Sequence, residues 1–281
     1  MTDSPGNIPE TDLREKFITE FKALGGKVKN GDGSDLIISL KDHELTVSLE
    51  QLQKEYDRTG SLSGYEHFMS AVLSEAGIIP AWDDVREAVF PVFYSTALNP
   101  GDVVSDDMTD EFRCAYFYEI SDRREWIGRK HLDAWHIDED MLRETAVANL
   151  DRCLGPSEIS VETDEETGLQ IGFIDTDFFY PSSFLIAPGL PLKLIRSGFP
   201  LPVFIYMPTA GIFEIIRDCD IDDAVTVYGN SILSEFLSDP HPVTPEIFVI
   251  DEDGIHAAGY LDRNGDNAEF IGYRSSGHFP A

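Results

Sequence analysis

The sequence predicts an α+β protein: a small mixed α/β N-terminal layer followed by a larger α+β domain with a mostly antiparallel sheet. Three observations carry that prediction. Helical spacing, a hairpin and more helical spacing follow one another in the first hundred residues. An aromatic, alternating run, "CAYFYEI", opens the second part, and the C-terminal tail breaks into three short β-type runs at two turn signals. Because 281 residues exceed the usual size of one domain, either one large domain or two smaller ones are expected, and two are favoured, with the chain divided into four segments. These are a disordered N-terminus at 1–10, an N-terminal α+β domain at 11–97, a linker at 98–112 and a C-terminal α+β domain at 113–281.

Each element has its own warrant. From Thr11, the residues Leu13, Phe17, Phe21 and Leu24 repeat at helical spacing, and Gly25-Gly26 stops the helix. Leu36 to Leu40 and Leu45 to Leu49 flank "KDHE" and read as a hairpin. Leu49 to Tyr56 turns helical; Gly64 to Ala76 carries Tyr65, Phe68, Met69, Val72 and Leu73 on one face and forms a further helix. A short helix is expected over Asp83 to Val89. "ALNPGDVVSDDMTDEF" joins turn residues to an acidic run, which marks the linker. Strands are expected at Arg113 to Ile120, Ile159 to Glu162 and Leu169 to Ile174, with Val203 to Met207 as a central strand. Asp220 to Leu237 reads as helix, and the tail as a meander turning at "DEDG" and "DRNGDN".

Charge and cysteine usage bound the function. Fifty-two acidic residues against 21 basic ones give a net charge of -31. Such a surface repels phosphate backbones and anionic headgroups, so neither nucleic acid nor membrane is an expected partner. No run approaches the roughly 18 apolar residues of a membrane span. The three cysteines, Cys114, Cys153 and Cys219, are isolated and odd in number, which fits a reducing cytoplasm. The N-terminus has neither the basic head nor the apolar core of a signal peptide.

Three stretches invite a chemical reading. In "HLDAWHIDEDML" the histidines His131 and His136 stand five apart, about 140° around a helix, so they do not readily share one ion. Asp138 instead fits an N-cap, with Glu139 and Asp140 in the first turn and Ile137 packing on Leu142; the stretch starts a helix. "DRNGDN" resembles a calcium loop, but its glycine is fourth and the twelfth position is Tyr273, so a turn tipped by Asn264-Gly265 is favoured. In "GFIDTDFFYPSSFLIAPG", Asp175 and Asp177 leave a strand on one face, and Tyr180, Ser182 and Ser183 follow. Paired carboxylates could bind a divalent ion and a serine at such a turn could act as a nucleophile, although GxSxG is absent. A serine capping a helix among core aromatics is the plainer reading.

P-loop, GxGxxG and SxxK signatures are all missing, so no cofactor is expected. "RCAYFYEI", "WIGRKHLDAWHIDEDMLRETAVANL", "FFYPSSFLIAPGL" and "PVFIYMPTAGIF", taken in order, resemble the YtpQ-like family of uncharacterised bacterial cytosolic proteins. That family similarly follows an apolar strand with an "hL-x-x-W-x-h" turn and a helix ending in "A-x-x-NL", here Ala146 to Leu150. The likeness runs from about Arg113 to Asp220, with a looser match of the N-terminal helix and hairpin. Where the family tends to close the "PVFIYMP" strand with an Arg-Asp pair, this chain has Thr209-Ala210-Gly211. The resemblance brings no reaction with it.

The sequence therefore favours a cytoplasmic, non-catalytic module that binds a protein or a small molecule, with Asp175, Asp177, Tyr180, Ser182 and Ser183 as candidate binding residues. Two alternatives stay open. One is a metal-assisted hydrolase using Asp175 and Asp177 with a distant histidine such as His241 or His256. The other is an acidic antagonist of a basic partner protein.

Overall fold

The structure, a computed structural model, describes residues 10–23, 26–31, 35–40, 43–48, 50, 53–54, 79–98, 100–120, 123–163, 165, 167–217, 221–265 and 267–273. The expected N-terminal disorder, apart from Glu10, which begins a helix, and the helix over Gly64 to Ala76 lie outside these residues. The fold class is α+β: every described strand pairing is antiparallel, and the strands fall into three sheets. Two compact units result, Met1–Ala81 with Glu119–Arg124, and Trp82–Tyr118 with Glu125–Ala281.

In the first unit, helix α1 (Glu10–Ala23) precedes strands β1 (Lys27–Asn30), β2 (Asp35–Leu40) and β3 (His43–Ser48). The expected hairpin is present, with Ile38 opposite Leu45; β1 adds a strand that its alternating lysines conceal. Phe17 and Phe21, one turn apart, stack at 5.8 Å and are fully buried with Leu36, Ile38 and Val47. Gly26 lies against the Phe21 ring, where a Cβ would collide with it.

The second unit begins with α2 (Trp82–Val85), a 3₁₀ turn at Arg86–Ala88 and strand β4 (Val89–Ser95). Pro91 hides β4 from a sequence reading, since proline cannot donate to a ladder. The structure accommodates it because β4 is an edge strand, paired along its length with β6 (Phe112–Ile120), which also pairs with β5 (Ser105–Asp107) and β7 (Arg123–Trp126). The segment 98–112, expected as a linker, thus contributes a strand to this sheet, and the units divide between Ala81 and Trp82.

Two helices follow, α3 (Arg129–Trp135) and α4 (Glu139–Leu154). The stretch "HLDAWHIDEDML" joins them. His131 Nδ1 accepts from the Gly128 N–H at 2.9 Å, and its buried ring packs on Tyr118 and Trp135. A Cβ on Gly128 would run into the Asp102 carbonyl, which restricts that position to glycine. His136 ends α3 in the left-handed region, φ 56°. Asp138 caps α4, its Oδ1 accepting from the Met141 N–H at 2.8 Å. The stretch does start a helix, and it also ends one. Leu142, Ala146 and Leu150 form the buried stripe of α4, and Asn149 beside them donates to the carbonyls of Arg86 and Val89 at 2.7 and 2.8 Å.

The seven-stranded sheet has the order β14 (Asn267–Gly272), β13 (Gly254–Asn264), β12 (Glu246–Asp251), β10 (Val203–Tyr206), β11 (Glu214–Arg217), β9 (Gln170–Asp175), β8 (Glu158–Thr163). Strand β10 is central, as its apolar run predicts, and the tail is the expected meander. On one face Tyr206, Ile171, Ile216 and Ile247 meet Ala224, Val225, Ile232 and Leu233. Those helical residues come from α6 (Ile221–Ala224), a π-turn (Val225–Gly229) and α7 (Asn230–Ser238). Truncating Leu233 to alanine would cost about 2–5 kcal/mol in this layer. A 3₁₀ segment at Pro181–Ile186 and helix α5 (Leu190–Arg196) connect β9 to β10. Among the described residues, no helix is long and apolar enough to cross a membrane.

Candidate functional site

Asp175 ends β9 and Asp177 follows it, both exposed at the surface. Tyr180 packs its ring edge-on to Phe117 at 5.2 Å and Phe179 at 5.1 Å. Ser182 and Ser183 stand inside the 3₁₀ segment, fully buried, rather than at its cap. Ser183 Oγ donates to the Pro91 carbonyl at 3.0 Å, so it ties this segment to the edge strand that proline opens. The Ser182 N–H donates to the Ala210 carbonyl at 3.3 Å, at the place where the resemblance implies an Arg-Asp pair. The two aspartates and two serines thus part company, carboxylates outward and hydroxyls inward.

The histidines considered with the aspartates stand elsewhere. His256 lies on β13, four strands from β9, roughly 19 Å at normal strand spacing, and its Nε2 meets Asp251 Oδ1 at 3.1 Å. The His241 N–H donates to Asp239 Oδ1 at 2.6 Å in an exposed loop. Among the described residues, no three His, Cys, Asp or Glu side chains gather as a metal site.

A pocket of about 1000 Å³ opens instead within the second unit. Its floor is the small sheet, through Asp106 and Asp107 of β5 and Cys114 and Tyr116 of β6. One wall is α4, through Arg143 and Val147; another is the 3₁₀ segment and the start of α5, through Leu185, Ile186 and Pro191. The turn between β12 and β13 closes it with Asp253, Gly254 and Ile255. Asp251 Oδ1 holds that turn by accepting from the N–H groups of Asp253 and Gly254 at 2.8 and 3.1 Å.

Asp106 organises the polar end. Arg143 grips it with Nη2 to Oδ1 at 2.6 Å and Nε to Oδ2 at 3.2 Å, and the Tyr116 hydroxyl donates to Oδ2 at 2.5 Å. Burial alone would raise the Asp106 pKa, but the Arg143 and Tyr116 hydrogen bonds and the Arg143 charge bring it below the ordinary value. Arg143 Nη1 also donates to Asp140 at 2.7 Å. Burial, followed by the Asp106 charge, pushes the Cys114 thiol up to about 12. Burial raises the Tyr116 hydroxyl too. Both groups stay protonated at neutral pH, whereas a thiolate nucleophile would need a lowered pKa. The arrangement offers a fixed carboxylate beside an apolar chamber.

None of the five residues expected from the sequence lines this pocket. Asp106 does not stand out in the sequence because it lies in the acidic run expected as linker, nor Tyr116 because it is one strand aromatic among several. Arg143 looks like a solvated helix residue. Its spacing with Val147, i and i+4 alongside the Leu142 stripe, is the one available signal that this flank of α4 is half-buried. Comparison with protein-family models, with curated proteins and with solved structures finds no match for this chain.

Proposed function

We propose that the protein is a non-catalytic binding module whose small-molecule ligand seats in the pocket between β5, β6, α4 and the β12–β13 turn. The observation that carries this reading is the pocket's composition. About 1000 Å³ is lined largely by apolar side chains around one fixed polar cluster, Asp106, Arg143 and Tyr116. Pockets of this size and lining accommodate drug-sized ligands, with the few polar groups setting orientation. The protonated Cys114 and Tyr116 provide contacts and no nucleophile. The likeness to YtpQ-like proteins is compatible with this proposal and adds no activity to it.

The test is a thermal-unfolding screen of the full chain against metabolites, beside a Val147→Phe variant that fills the chamber from α4. A ligand at about one hundred times its dissociation constant adds roughly 2.7 kcal/mol to the folded state, a shift such a screen resolves. Stabilisation of the wild type that disappears in Val147→Phe supports the pocket. Ligand shifts of equal size in both proteins would refute it.

A further inference from the structure

We infer that this pocket selects an organic cation, an amine carried on an apolar or aromatic body. The inference rests on the pocket reading above and concerns the charge that the pocket presents.

Among the described residues, Arg143 is the only cation lining the chamber, and its guanidinium is already engaged. Nε and Nη2 face Asp106 and Nη1 faces Asp140, so the planar fork that would receive a carboxylate or phosphate is spent on the protein's own carboxylates. With two aspartates on one arginine, the cluster carries net negative charge. Asp107 is balanced separately by Arg113 at 2.7 Å. Asp253 adds a further carboxylate on a turn whose backbone is fixed by Asp251, so its side chain is presented from a rigid base at the pocket wall. An anion entering here would meet uncompensated negative charge and no free fork.

Asp106 also has capacity left. A carboxylate offers about four lone-pair positions, and Arg143 takes two and Tyr116 one. One remains for an ammonium N–H. The apolar part of such a ligand finds Val147, Leu185, Ile186 and Ile255. Over longer range, a chain of net charge -31 raises the local concentration of cations.

Three probes of one shape isolate the charge: 4-phenylbutylamine, 4-phenylbutan-1-ol and 4-phenylbutyrate. Titrated calorimetrically into the full chain at pH 7, the amine is expected to bind tighter than the alcohol by roughly tenfold or more, the effect of one charge-assisted hydrogen bond. The acid is expected to bind weakest. Asp253→Asn should lower amine affinity severalfold and leave the alcohol unchanged, while Asp84→Asn, at an exposed position on α2, should alter neither. Equal affinity for amine and alcohol, both lost in Val147→Phe, would overturn the cation selectivity and leave the pocket reading standing. Preference for the acid would overturn it in the opposite sense. Amine binding that persists in Val147→Phe would place it on the general acidic surface and overturn the inference. Failure of every probe to distinguish wild type from Val147→Phe would count against the pocket itself.

Discussion

Arg143 and Asp106, 37 positions apart in sequence, form a two-point grip that joins α4 to the short strand β5. A guanidinium fork matches a carboxylate in a way that an ammonium does not. Arg143→Lys is therefore expected to destabilise the second unit nearly as much as Arg143→Ala. The Arg143 side chain is 40% exposed, so solvent screening limits the cost to about 1–2 kcal/mol. A double-mutant cycle with Asp106→Ala in urea should return a coupling of about 1 kcal/mol. Additive single changes would mean that the pair contributes nothing beyond its parts.

Asn149 exerts a stronger hold. Its amide is buried and satisfies two carbonyls, those of Arg86 and Val89, at the point where the 3₁₀ turn hands over to β4. Asn149→Ala leaves both acceptors without this donor, the Val89 carbonyl in a buried place and the Arg86 carbonyl in a part-buried one, and should cost about 1–3 kcal/mol. Asn149→Asp should cost more, because it replaces the donor with a charge facing two carbonyl oxygens. Denaturant midpoints measure both; Asn149→Asp at wild-type stability would show that water replaces these bonds.

How far the sequence revealed this protein depends on where its information is local. The α4 cap at Asp138, the hairpin about Ile38 and Leu45, the central β10 and the final meander all follow from periodicity and turn residues within a few positions. Strand β4 was hidden because Pro91 argues against a strand until its partner is known to lie on one side only. The pocket was hidden more completely. Asp106 and Arg143 belong to segments that each look solvated, and only the folded register places them 2.6 Å apart. Conversely, Asp175 and Asp177 attract attention by adjacency, yet the fold directs them outward while the neighbouring serines turn in.

The buried imidazole of His131 predicts acid sensitivity. Burial, then the charge of Lys130, holds its pKa below the ordinary 6.5, so the folded state keeps the ring neutral while the unfolded chain takes up a proton. Stability from this group is complete above 6.5 and falls as pH drops from there towards the depressed folded value. His131→Gln keeps an acceptor at the third helical position without titrating. The wild-type melting temperature should fall more than the variant's between pH 7.5 and 5.5. Parallel pH profiles would assign the sensitivity to other groups.

Glu214 pulls the opposite way. It lies on β11 across from Tyr206, its carboxyl Oε2 is buried without a hydrogen-bond partner among the described residues, and Glu235 on α7 adds like charge. Burial and that charge raise its pKa from 4.5 to about 7. The folded state therefore binds the proton more tightly than the unfolded chain. This contribution is fully present below about 4.5 and is lost as pH rises to about 7 and beyond. The shift corresponds to roughly 3 kcal/mol. Glu214→Gln removes the charge that must otherwise form beneath α7, so the variant should gain stability over wild type at pH 8 and lose that advantage at pH 4.5. Urea midpoints at the two pH values decide it. A difference that does not change with pH would show that water reaches the carboxylate and that α7 does not seal this edge of the sheet.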